Sequence, residues 1–516
     1  MQSLINKGPR YTTTSVRTIK GEDHLGIRSV AISMADHLQS GITSITPRAR
    51  YWAFFAWVLD DFIQHAHEAK TLINFKRFLK KQEGYFILAN IADAEANGTT
   101  TLAVIGSTEG IKVWRTKFDT FEPFYNYVQE SFGGYGTYRN VMKIMGLTMV
   151  GDEGIGVQID RLTKLGIKLA EAFQQLIQNT EYYQKYRLTN DPVPREVIRQ
   201  YGQAAALNGL KEAESKDYPL LTNIFLPEES INARHELRKH SMLYYMNIIN
   251  QSNGNKLTFS YMQDLMFDGF YHHKLTVLKK LQTVAKGWEI YQARQFFTYS
   301  LDTIWSYLLN RMSRRILTMT ELINSVLTEL ENSGYDLAEQ VADINRYIPL
   351  TTEFRRSFIK QMRVEQKDVN LHVWQPTLVM LDVYHRLLGR EDFEIIHDEL
   401  LKLGGKDSIS LKTWMEFVDS YQQKSIKDFI SYILRYFILE QHHKVALNKM
   451  ITTKNETYHF IDNDGKLYFI SDDVPVFNTF RVNQGLDILE DLGLVKNIKG
   501  TYQVTSLGQV KLNGIY

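Results

Sequence analysis

Cysteine is absent from this 516-residue chain. That excludes disulfides, thiolate nucleophiles, Cys-ligated zinc and iron–sulfur clusters together, and it suits a reducing compartment, so a cytoplasmic protein is expected. Proline is scarce, 10 residues in all, and few helices need break at one. No apolar run approaches the roughly 18 residues that a membrane-spanning helix requires. The greasiest stretch, Tyr51 to Val58, meets Asp60 and Asp61 almost at once. The opening residues, MQSLINKGPRYTTT, carry no apolar segment behind their charges, so no secretory signal is expected. An excess of one charge is lacking too: 60 basic and 58 acidic residues leave a net charge of +2. No global field therefore draws the chain onto nucleic acid, and any such contact must come from a local patch. What is present, 44% hydrophobic and 23% charged residues, is the mix of a folded chain long enough for three or four domains.

Apolar residues recur at helical spacing through the middle of the chain. Val277, Leu281, Val284, Ile290, Phe296, Phe297, Leu301, Ile304, Trp305 and Leu308 fall three, four or seven apart along much of the run from Val277 to Leu330. The same pattern marks Asp160 to Tyr186, Glu228 to Asn250, Pro349 to Val364 and Lys424 to Met450. The fold class expected is mainly α, a multi-domain helical protein. Turn residues at 96–98, 251–255, 332–334 and 404–407 punctuate it. They suggest segments 1–175, 176–335, 336–450 and 451–516, packed without long linkers.

Two places depart from the helical rule. Thr457 to Ile461 and Lys466 to Ile470 flank Asp462-Asn463-Asp464-Gly465, and Asp-Gly is the pair that a tight hairpin turn favours. Beyond it, a helix over 478–492 stops at Gly493-Leu494-Val495. A basic turn with Lys496, Lys499 and Gly500 follows, then a strand, Thr501 to Val504, and Thr505-Ser506-Leu507-Gly508. The order helix, Gly-Leu stop, hairpin, Thr-x-Leu-Gly resembles a winged helix. Earlier, Val141 to Met145 runs into Gly146-Leu147-Thr148, a Gly-rich acidic loop, and Leu162-Thr163-Lys164-Leu165-Gly166. This echo implies winged-helix-like modules near residues 100–175 and 450–516. Arg481, Lys496 and Lys499 are the nucleic-acid-contacting candidates of the second.

Known catalytic signatures mostly fail. Gly405-Lys406 is followed by Asp407 and lacks the upstream glycine of a P-loop. Gly133-Gly134-Tyr135-Gly136 has Arg139 where a dinucleotide loop places its third glycine, and reads as a structural turn. His235 and His240 are five apart, about 140° out of phase on a helix, so they cannot share a zinc as a zincin pair does. His65, His67, His272-His273 and His442-His443 lack neighbouring ligands in sequence and read as solvated or capping histidines; no metal site and no cofactor is expected. Asp60, Asp61, Glu68 and Lys70 have the letters of a metal-dependent nuclease but sit in helical periodicity rather than on strands. Arg234-His235-x4-His240 resembles the Arg-polar-x4-His arrangement of HEPN-type ribonucleases, which implies phosphate steadying by Arg234 and acid/base work by a histidine. Arg390 to His397 and Arg435 to His442 show similar spacing, and a solvated helix face explains all three.

The segment Gly41-Ile42-Thr43-Ser44-Ile45-Thr46-Pro47-Arg48-Ala49-Arg50-Tyr51-Trp52-Ala53-Phe54-Phe55-Ala56-Trp57 is unusual. It is apolar on nearly every side of a helix and has two arginines at the mouth, where cations oppose the helix dipole. Arg48 and Arg50 must pair with carboxylates or bind an anion, with Asp36, Asp60 and Asp61 as available partners. The segment resembles uncharacterised prokaryotic proteins of anti-phage defence islands, and the resemblance implies an accessory subunit of an ABC- or SMC-type ATPase system of the Lamassu kind. The run from Trp288 to Trp305 adds a looser likeness. The resemblance brings no established catalytic residue. It implies a non-enzymatic scaffold that docks an ATPase or a nuclease effector and contacts double-stranded DNA. A HEPN-like ribonuclease using Arg234, His235 and His240, and a stand-alone winged-helix regulator, are the alternatives.

Overall fold

The computed structural model describes residues 23–101, 103–123, 126–128, 132–150, 159–211, 215–229, 232–252, 259–269, 275–348, 350–361, 368–390, 409–453, 456–477 and 481–514. The protein is mainly helical, with 19 α-helices and short antiparallel strands among these residues. No described helix is long and apolar enough to cross a membrane. Contacts group the chain into two units, each assembled from separated stretches. The first takes Met1–Ala35, Met266–Tyr271 and Lys286–Thr479, and the second takes Asp36–Leu265, His272–Ala285 and Phe480–Tyr516.

The second unit is built around the helix Arg50–His65, in which nearly every side chain is buried. Phe54 stacks on Phe86 with ring centroids 4.0 Å apart, and Trp52 meets Tyr138 and Phe225 edge-on. Helix Lys164–Ile177 covers it, while Leu72–Asn97 packs on Arg195–Ala205. That last pair crosses closely because Gly202 offers no side chain: a Cβ there would lie 2.4 Å from the Ala89 carbonyl oxygen.

The Gly-Leu…Thr-x-x-Gly echo becomes one local geometry built twice in this unit. Gly146 and Gly493 take positive φ, +73° and +65°, and end their helices. Leu147 N–H donates to Met142 O, and Leu494 N–H to Leu489 O. Thr163 and Thr505 each donate backbone N–H to that leucine's carbonyl and hydroxyl to the glycine's, and cap the next helix by accepting from Gly166 and Gly508. Strands Thr148–Met149 and Arg161–Leu162 pair in one copy, and Val495–Ile498 and Thr501–Val504 in the other. The loop 151–158 of the first copy lies outside the described residues, as do the turns at 253–255 and 404–407 and the start of the helix expected over 478–492; its described part is Val482–Asp491.

The helical run from Val277 to Leu330, in the second unit up to Ala285 and in the first from Lys286, is not continuous. A 3-10 turn, Lys279–Leu281, leads into Gln282–Met312, and Leu317–Thr318 is a strand ahead of Met319–Asn332. Thr318 interrupts the helix because its hydroxyl and Glu321 form a capping box that starts the next one. Leu317–Thr318 pairs with Lys466–Phe469, which also pairs with Phe460–Asn463. The hairpin turn is Asp464-Gly465, both at positive φ, with Asp462 and Asn463 in the strand rather than in the turn. Across Lys424 to Met450, π-helix Ile433–Leu439 separates Ile426–Tyr432 from Glu440–Thr453. Its wider turns shift the face presented by everything beyond it.

Candidate functional site

The two arginines that open helix Arg50–His65 are both held by carboxylates, though not by those nearest in sequence. Arg48 Nε lies 3.1 and 3.0 Å from the two oxygens of Asp491, whose Oδ2 also accepts from Ala49 N–H at 2.9 Å. Burial works against the Arg48 charge, and the Asp491 carboxylate more than restores it. Arg50, 1% exposed, donates to Asp217 at 2.9 Å, to Ser215 and to the Ala206 carbonyl. The expected partners go elsewhere. Asp36 accepts from Arg481, and Asp61 pairs with Arg187 and His65. Lys70 donates to the carbonyls of Phe62 and Ala66 at the end of the same helix.

The Gly-rich turn at 133–136 closes on a carboxyl group of the protein's own. Glu83, fully buried, accepts from Gly134 N–H at 3.0 Å, from Tyr135 N–H and from the Tyr127 hydroxyl at 2.5 Å. A Cβ at Gly133 would lie 1.9 Å from Glu83 Oε2, so glycine is needed for the approach. Burial outweighs the three donors and pushes the carboxyl up to about 7.

Arg234 is exposed on helix Ala233–Gln251, His235 is buried with its ring 3.5 Å from Ile144 O, and His240 Nε2 lies 2.9 Å from Glu236. Burial lowers both histidines. Six residues apart, Arg234 and His240 point about 120° away from each other around the helix. Arg481 is taken by Asp36, whereas Lys496 and Lys499 stand exposed on the hairpin 495–504, with Lys499 at φ +53° in its turn. Beside them Ile498 is 47% exposed.

A cluster that the sequence did not disclose lies in the first unit. His442, read from its sequence neighbours as solvated or capping, is fully buried beside Trp305, at 4.5 Å between ring centroids. Its Nδ1 lies 3.2 Å from His24 O and its Nε2 accepts from His459 N–H at 3.1 Å. A carbonyl only accepts, so Nδ1 carries the proton and the ring clamps two distant backbone positions. His459 Nδ1 faces Ser471 O at 3.0 Å and the Ser471 hydroxyl at 3.1 Å, and its Nε2 is turned to His24. His24 Nε2 is 4.0 Å from Asp473 Oδ2. That oxygen is buried and accepts no hydrogen bond among the described residues, while Oδ1 takes the Val474 N–H at 2.9 Å. Burial and the neighbouring His459 push His24 down to about 2, and burial pushes His442 down to about 3, so both rings are neutral near pH 7. Arg28 binds Asp302 at 2.8 Å and stands 3.8 Å from Asp473. Two neutral imidazoles and a carboxylate oxygen that accepts no hydrogen bond can share a proton or take up a cation. No signal in the sequence would have found them, because the hairpin and the residues after it bring His459 and Asp473 to a helix-preceding histidine more than 400 positions earlier. No protein-family model, curated protein or solved structure matches this chain.

Proposed function

We propose that the protein is a non-enzymatic accessory subunit of a bacterial anti-phage defence complex, in which the hairpin at 495–504 docks a partner of the ABC or SMC ATPase class. The supporting observation is the Arg48–Asp491 pair. It fastens the end of helix Val482–Asp491, and so the root of the hairpin, to the buried helix Arg50–His65. The tip with Lys496, Ile498 and Lys499 faces solvent on that rigid base. A scaffold has this form: a fixed root and a presented edge. Asp487 and Glu490 beside the hairpin temper its basic charge, which suits a protein partner better than a phosphate backbone. Co-expression with the products of the flanking genes, followed by size exclusion, tests the reading. Co-elution with an ATPase supports it, and a chain that elutes alone from every neighbour overturns it.

The exposed Lys496 and Lys499 also support a second reading, a winged-helix-like contact with double-stranded DNA. It predicts duplex binding by the isolated chain that weakens steeply with salt.

A further inference from the structure

We infer that His24, His459 and Asp473 form a binding site for one divalent transition-metal ion of the zinc class. Three donor atoms, His24 Nε2 or Nδ1, His459 Nε2 and Asp473 Oδ2, lie within 4.8 Å of one another. Both rings are buried, and the carboxylate oxygen has lost water without gaining a hydrogen-bond donor. A buried oxygen in that condition is costly unless something positive meets it. Arg28 Nη2 stands 3.8 Å away, beyond hydrogen-bond reach, while its Nε is bonded to Asp302, so the oxygen has a cation nearby but no donor.

The arrangement around the donors is that of metal ligands. A ligating histidine donates its second ring N–H to a carbonyl or carboxylate, which fixes the tautomer and the ring direction. His459 does so through Ser471 O. His442 is not a ligand, since both its nitrogens are engaged; it is a positioning residue that ties the backbone of residue 24 to that of residue 459. The 4.0 Å gap between His24 Nε2 and Asp473 Oδ2 is too long for a hydrogen bond and exceeds by roughly 0.6 Å the spacing of two ligand atoms on a tetrahedral ion, so binding draws the two together. His459 Nε2 lies 3.0 Å from both nitrogens of His24, with the rings at 81°, and this contact between the two histidines is the one that a bound ion would replace. Binding would require the His24 ring to turn about χ2, a soft torsion, so that its lone pair faces the other two donors. Two imidazoles and one carboxylate, with no thiolate in the chain, suit zinc, cobalt or iron(II), and leave coordination positions for water or a substrate.

The purified chain is stripped with a chelator, offered Zn(II), Co(II) or Fe(II) separately under reducing conditions, desalted and analysed for bound metal. About one equivalent of one of these ions is expected, with a rise in melting temperature and, for Co(II), visible absorption of a low-symmetry site. Asp473→Asn keeps the shape of the side chain and should fold, yet lose at least tenfold in affinity and the metal-dependent rise in melting temperature; His24→Ala should lose both as well. Retention of none of the three ions by the parent overturns the assignment. So does metal binding that is unchanged in both variants. Neither outcome touches the partner-docking reading, which rests on the other unit.

Discussion

Arg48 and Asp491 stand 443 positions apart in the chain, and the arginine's Nε bridges both oxygens of the carboxylate. The pair joins the residue just ahead of the buried helix Arg50–His65 to the last turn of the helix that carries the C-terminal hairpin. Arg50, two residues on, reaches Asp217, which is wholly buried. Truncating either arginine leaves a buried acid without its cation, a loss of about 3–5 kcal/mol. Arg48→Ala and Arg50→Ala should therefore each lower the melting temperature, and Arg→Lys should restore only part, because lysine keeps the charge but not the planar fork. Thermal unfolding of the four variants checks this. Alanine variants as stable as the parent would show that the arginines serve an external anion instead.

Gly166 and Gly508 hold the same place in the repeated turn. A Cβ at either would lie 2.2 or 2.1 Å from the carbonyl oxygen of Leu147 or Leu494, and a backbone atom cannot step aside as a side chain can. Gly166→Ala and Gly508→Ala should each cost about 1–3 kcal/mol. Gly136→Ala is the control. It lies inside helix Tyr135–Ile144 and meets only Phe132 Cβ at 3.4 Å, so denaturant titration should find it neutral or slightly stabilising.

The Glu83 contribution to stability should fall as pH rises through the range that its carboxyl sets. Its carboxyl titrates near 4.5 in the unfolded chain and is pushed up to about 7 by burial in the folded one. The folded state thus binds the proton more tightly, and the contribution is whole below about 4.5 and lost as pH climbs through 7. Asp487, raised to about 6, acts in the same direction. The Glu83 share is on the order of 3 kcal/mol. Chemical denaturation of the parent and of Glu83→Gln between about pH 4.5 and 8 isolates this share, because His24 and His442, held low by burial, pull the parent's own slope the other way below about pH 6.5. The variant should gain on the parent as pH rises, and a stability difference that stays constant across that range contradicts the assignment.

His240 is engaged with Glu236 one turn away on a partly exposed helix face, a pair worth about 0.3–0.5 kcal/mol. His240→Ala should leave both stability and anti-phage protection close to the parent's. Protection abolished in a folded His240→Ala protein would favour the ribonuclease reading, and plaque assays decide between them.

Helical character was legible because period and punctuation are local properties, and so was the hairpin at Asp464-Gly465. The repeated turn was legible for the same reason: glycine at positive φ, a capping threonine and a glycine under a carbonyl leave letters at fixed spacing. Partners were not. Arg48 announced that it needed a carboxylate, but the choice of Asp491 over Asp36 or Asp61 is made by tertiary packing. His24 and His459 carry no mark at all, since each is an isolated histidine until the fold sets one against the other. The dinucleotide-like glycines misdirect for a related reason. They do close on a carboxyl group, that of Glu83, some fifty residues away.

Partner capture by the hairpin tip is the most direct test of the scaffold proposal. The chain and a Lys496→Glu/Ile498→Asp/Lys499→Glu variant are each co-expressed with the neighbouring ATPase, and the fraction of partner retained on the tagged chain is measured after gel filtration. All three positions are exposed, so the variant should melt with the parent. The account predicts a stable complex for the parent and at least a tenfold loss of retained partner for the variant. Equal retention by both chains, or no complex with either, would contradict it.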